Sequence, residues 1–278
     1  ALTANLASGT ARILFPTDGM RIAMTYKSLG SPKFVSYLGD SVFYCTELGK
    51  RGVGDFAWAL IAAEHCGTSF PSDAANTPES LLQSIAEAEL ESGGFALMGN
   101  TADADATAIV LRALAPYRES CSELVERTLN ALAELQRESG AFASLGTETA
   151  ESTAQVVLAL SALGIAPDSD ERFVKNGVTC IDALYGFATS DGFAHIRGGE
   201  TDALATAQAL SALRAYELPQ QNDDSVPASA GAVPSLSSAA TDNDSGTTQT
   251  VLLVAAAVAV VAGAAVFLRV RFAKQYQK

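Results

Sequence analysis

The chain has 278 residues, 48% of them hydrophobic, enough for a sizeable core and too many for a disordered protein. A formal net charge of −13 argues against nucleic acid and anionic membrane surfaces as partners. Aromatics make up only 7% while alanine is abundant, which points to an all-α protein whose helices pack closely through small side chains.

Breaks at Pro16-Thr17-Asp18-Gly19, Gly30-Ser31-Pro32, Gly52-Val53-Gly54 and 67–78 divide the first part of the chain. Between them the pattern predicts helices over 2–15, 19–29, 33–49 and 55–66, the last carrying the only tryptophan, Trp58. Thr77-Pro78-Glu79 then makes a helix start, with a capping hydroxyl, a proline at the first helical position and an acid in the first turn.

From there helices alternate regularly. The predicted pairs are 78–91 with 104–115, 121–138 with 151–163, and 170–187 with 202–216. The first member of each is charged and should face solvent; the second is nearly continuous Ala, Val and Leu and should be buried. Three stretches, 101–117, 147–163 and 200–216, repeat one another with Thr107, Thr153 and Thr206 in register, 46 and then 53 residues apart. The helices of each pair are joined by a glycine-aromatic loop, namely Gly93-Gly94-Phe95, Gly140-Ala141-Phe142 and Asp191-Gly192-Phe193. Repeats of this length predict a solenoid or toroid, here of about five hairpins over residues 1–218.

A linker rich in Ser, Ala, Pro and Asp follows over 219–250. Val251 to Leu268 contains no charge and at helical rise is about 27 Å long, enough to cross a bilayer core. Arg269, Arg271, Lys274 and Lys278 follow without an acid, so 269–278 is expected to be a cytosolic tail and residues 1–250 to lie outside the cell. The chain opens on Ala1 and not Met, so a mature product or fragment whose leader has been removed is expected. Cys45, Cys66, Cys121 and Cys180 are compatible with two disulfides in three pairings or with buried free thiols.

ADATAIVLRALAPY, ESTAQVVLALSALGIAP and TDALATAQALSAL resemble the α/α-toroid superfamily of terpene cyclases and protein prenyltransferases, above all its repeats on bacterial cell-surface proteins. That superfamily normally closes with six hairpins, so five imply an open or incomplete ring. Gln136, Gly140 and Phe142 look like the glutamine-tryptophan staple of cyclase repeats with Phe for Trp, and Glu89 stands at the glutamine position before Gly93 and Phe95. Asp103-Ala104-Asp105-Ala106 is similar to the acidic motif of class II cyclases. The resemblance implies Asp105 as the acid that protonates an alkene or epoxide and Asp103 as its supporter, with the third carboxylate replaced by Ala106.

The residues themselves offer a plainer reading, because Asp103, Asp105, Glu151 and Asp202 all fall at inner-helix starts, where a carboxylate caps free amides. The zinc site of protein prenyltransferases needs Asp, Cys and His on inner helices. The last repeat has no Cys or His, and His195 stands alone in a loop, so neither metal nor cofactor is expected. The expectation is therefore a membrane-anchored, non-catalytic module that binds a small molecule, glycan or peptide at the cell surface. Its mouth would be lined by Trp58, Phe95, Phe142, Phe193, Thr107, Glu151, Thr153, Gln155, Asp202, Thr206 and Gln208. The alternatives are a cyclase-like isomerase using Asp105, and a spacer or subunit that associates with a surface protein or with itself.

Overall fold

A computed structural model describes residues 15–220. Five helices form an inner row: α1 (Pro16–Ser28), α3 (Gly54–Cys66), α5 (Ala104–Leu114), α7 (Ala150–Ala162) and α9 (Ala203–Gln220). Each packs on the next in chain order, and α9 does not close back on α1 in the same way. The outer helices are α2 (Phe34–Leu38), α4 (Pro78–Glu87), α6 (Ser122–Glu134) and α8 (Cys180–Tyr185).

The inner row is held by small residues. Ala57, Ala59 and Ala62 of α3, Ala108 of α5, Ala154 and Ala159 of α7, and Ala205, Ala209 and Ala212 of α9 are wholly buried. Such short side chains let helix axes approach closely, and Leu60, Leu111 and Leu160 fill the space between them. Outer helices bury only one stripe, as in α6, where Leu124, Val125, Thr128, Leu129 and Leu132 face inward while Glu123, Glu126 and Arg127 remain in solvent.

Outer helices pack mainly on the inner helix that precedes them, α2 on α1, α4 on α3, α6 on α5 and α8 on α7. The predicted hairpins ran from an outer helix to the following inner one. The physical reason for the difference is the long glycine-aromatic connection, which carries the chain forward to the next repeat before it turns inward. Among the described residues there are thus four inner-outer pairs, and α9 ends the row without an outer partner.

Two predicted helices change. The expected 33–49 helix stops at Leu38 and widens into a π turn over Gly39–Phe43, where Gly39-Asp40-Ser41 has poor helix propensity. The expected 170–187 helix is a 3₁₀ turn (Glu171–Phe173), a hairpin of β3 (Val174–Lys175) and β4 (Val178–Thr179), and then α8. Asn176 and Gly177 take φ of 52° and 77°, the left-handed pair of a tight hairpin, and the flanking β-branched residues suit strands. A second hairpin pairs β1 (Ala143–Ser144) with β2 (Thr147–Glu148) around Leu145-Gly146.

All four cysteines are free thiols. Among the described residues no helix is long and apolar enough to cross a membrane. The expected helix 2–15 falls outside the described residues except for Phe15, as do the linker beyond Gln220, the span 251–268 and the tail.

Candidate functional site

The starts of α5, α7 and α9 share one construction. Asp103 Oδ1 accepts the amides of Asp105 (2.9 Å) and Ala106 (3.2 Å), Asp202 Oδ1 accepts those of Leu204 (2.8 Å) and Ala205 (2.9 Å), and Thr149 Oγ1 accepts that of Ser152 (3.0 Å). These bonds satisfy amides that have no partner within the helix. The amides of Asp103, Thr149 and Asp202 in turn donate to the carbonyls of Phe95, Phe142 and Phe193.

One turn into each helix the register threonine completes the lock. Thr107, Thr153 and Thr206 Oγ1 accept the amides of Phe95 (3.1 Å), Phe142 (3.2 Å) and Phe193 (2.9 Å). Phe95 and Phe142 are entirely buried and Phe193 nearly so. The three phenylalanines, expected at the mouth, therefore anchor the loops from inside the core, and the threonines hold loop backbone.

The glycines before them matter for packing. At Gly140, with φ of 77°, an added Cβ would stand 2.8 Å from Val178 Cγ1, closer than side-chain atoms tolerate. That proximity lets Gln136 reach the next repeat. Its Nε2 donates to the carbonyls of Gly140 and Phe173, both at 2.9 Å, with Cys180 Sγ at 3.6 Å. Glu89 takes the corresponding place one repeat earlier and grips Arg127 through two 2.8 Å bonds.

Around the first two helix starts the polar groups converge. Ser144, delivered by β1, donates to Asp103 Oδ2 at 2.8 Å, so both Asp103 oxygens are engaged. Asp105 sits in the first turn of α5; its Oδ1 is buried and has no hydrogen-bond partner. Burial first, and then the charges of Asp103 and Glu151, push its carboxyl up to about 7, against the pull of the Ser152 and Ser144 hydroxyls. At neutral pH Asp105 is therefore divided between acid and carboxylate.

His195 Nδ1 lies 3.0 Å from both oxygens of Glu151, and its carbonyl accepts the amide of Ala150. His195 is exposed as expected but not alone, and it joins the loop after α8 to the start of α7. Ser144, Ser152 and His195 were missed as site residues, because a two-residue strand and a contact across 44 residues leave no periodic trace.

The other expected residues are more scattered. Gln155 and Gln208 bond to each other at 2.9 Å, buried between α7 and α9. Trp58 is buried on α3, with the guanidinium carbons of Arg21 and Arg112 at 5.4 and 6.0 Å from its ring centre. Asp202 caps α9, apart from the Asp103-Asp105-Glu151 group.

A family model, the prenyltransferase alpha-alpha toroid domain, matches residues 50–232. The chain belongs to that family. No curated protein matches it. Within the toroid family the zinc-dependent members need Cys and His donors on inner helices. This toroid's residues do not fit that need, since α9 carries neither and among the described residues no three His, Cys, Asp or Glu side chains are grouped for a metal.

Proposed function

We propose that this toroid is a non-catalytic binding module and that its ligand engages the starts of α5 and α7 through Asp105. The observation that carries this reading is the buried Asp105 Oδ1 without a partner, because a buried acceptor left unmade is costly and gains most from an incoming donor. Asp103 and Glu151 beside it favour a donor that is positively charged, such as the amine or guanidinium of a small molecule or peptide. In the three loops that precede the inner helices the residue three positions after each phenylalanine is apolar and exposed, Met98 (66%), Leu145 (52%) and Ile196 (46%). These tips suit a ligand with apolar parts flanking its charge. The uncharged run 251–268 and the basic tail after it support display of the module at the outer face of a membrane, on the 219–250 linker.

Thermal unfolding of the full chain in the presence of amine-bearing, glycan and peptide libraries tests the reading. Ligands that raise the melting temperature of the wild type should lose that effect in Asp105→Asn. A stabilising ligand indifferent to Asp105→Asn would remove Asp105 from the site.

A second reading, the cyclase-like isomerase, draws on the same carboxyl, since an acid that ionises near 7 is suited to proton transfer. Against it, Asp105 lines neither the cavity between the last turns of α3 and α5 nor the one between Gly93 and Arg127. Turnover of an isoprenoid alkene that disappears in Asp105→Asn would favour this reading over binding alone.

A further inference from the structure

The opposite, C-terminal ends of the inner helices hold a second feature. A cavity of about 420 Å³ opens between the last turns of α3 and α5, lined by Leu60, Ile61, Glu64, His65, Arg112 and Ala113, with Ala162 of α7 at its side. This volume falls in the range of small-molecule pockets, roughly 300–1,000 Å³.

The cavity wall combines apolar side chains with three polar ones, Glu64, His65 and Arg112, and the last of these has no ion-pair partner. Among the described residues Arg112 forms no hydrogen bond and no ion pair. Its guanidinium carbon stands 6.0 Å from the centre of the Trp58 ring, and burial lowers its pKa from the ordinary arginine value. A cation in the last turn of a helix often serves to cap carbonyls. Arg118 does so, donating to the carbonyl of Leu163 at the end of α7. Arg112 caps nothing and lines the cavity instead.

The neighbouring groups limit the charge of any ligand. Burial, and then Arg112, hold the His65 pKa below its usual 6.5, so this ring is neutral at pH 7; Ser28 Oγ stands 3.1 Å from its Nε2. Glu64 is exposed at the lip, where its carboxylate repels a second negative charge. A cation that no ion pair engages, apolar wall residues and a carboxylate held out at the lip together suit an anion of no more than one charge with an apolar body.

We propose that this cavity binds a small apolar monocarboxylate, with Arg112 as its counter-ion and Leu60, Ile61 and Ala113 against its hydrocarbon. The site is separate from the acidic group at Asp105 and does not depend on it. The Trp58 face at 6.0 Å favours a cation at this place, which helps to hold the guanidinium where a carboxylate would meet it.

The test uses calorimetric titration of the full chain with 1-naphthoate, its neutral isostere 1-naphthamide and the dianion 1-naphthyl phosphate. Naphthoate should saturate a single site and bind at least tenfold more tightly than either of the others. Arg112→Gln should weaken naphthoate at least tenfold and leave naphthamide unchanged. Ala162→Trp, which fills the cavity from an exposed position and keeps Arg112, should abolish naphthoate binding. Equal affinity for naphthoate and naphthamide, tighter binding of the phosphate, or no binding of naphthoate at millimolar concentration would overturn the proposal. So would unchanged naphthoate binding in Ala162→Trp, which decides the matter if Arg112→Gln does not fold.

Discussion

Thr107 and Phe95 hold each other twice: the threonine Oγ1 accepts the phenylalanine amide at 3.1 Å and donates to its carbonyl at 3.3 Å, all within the core. Replacing the hydroxyl by a methyl group in Thr107→Val keeps the volume and leaves that buried amide unpaired. The expected cost is about 1–3 kcal/mol. Thr153→Val should cost a similar amount and Thr206→Val less, because Thr206 is only half-buried. Urea unfolding of the three variants gives the order, and equal small losses in all three would show that the clamps contribute little.

Asp105 makes stability depend on pH. Its carboxyl is raised from the usual 3.8 to about 7, so between those values the folded state keeps a proton that the unfolded state has lost. Stability therefore falls as pH rises from about 4 to 7 and stays low above. Asp105→Asn should flatten that decline and be the more stable protein at pH 8, by roughly 2–4 kcal/mol. Parallel denaturant titrations at pH 5 and pH 8 measure the difference; identical pH dependence in the two proteins would contradict it.

The thiols should divide into two classes. Burial pushes Cys66 up to about 11 and Cys180 up to about 12, so neither presents thiolate at neutral pH, whereas Cys45 and Cys121 are partly exposed. Brief alkylation of the folded protein at pH 7.5, read by peptide mass spectrometry, should label Cys45 and Cys121 and spare the other two until denaturant is added.

The two staples should differ in strength. Gln136→Ala takes the amide donor from the buried carbonyls of Gly140 and Phe173 and leaves the latter only the weaker Cys180 thiol, a loss of about 1–3 kcal/mol. Glu89→Ala breaks a pair whose Arg127 is half exposed, a loss of about 0–1 kcal/mol. Thermal unfolding of both variants compares them directly, and the reverse order would refute this ranking.

The inner row was legible in the sequence because α5, α7 and α9 repeat their acid, alanine and threonine positions, and helix propensity and packing agree there. The capping role of Asp103 and Asp202 was legible for the same reason. What the pattern concealed is tertiary or very short. Val178 and Thr179 join a strand where helical spacing predicted a turn of helix, because Asn176-Gly177 prefers a hairpin. Outer helices turned out to lean on the preceding inner helix, a choice made by loop length and not by any local signal. The Glu151-His195 pair and the position of Arg112 over Trp58 arise only when separate repeats meet.

The staples run only from one repeat to its immediate neighbour, Glu89 to Arg127 and Gln136 to Phe173. Unfolding should therefore behave like a short row of coupled switches, melting inward from the ends where a repeat has one neighbour and not two. The same rule gives the architecture latitude in length: a repeat could be gained or lost at an end without redesigning any internal contact.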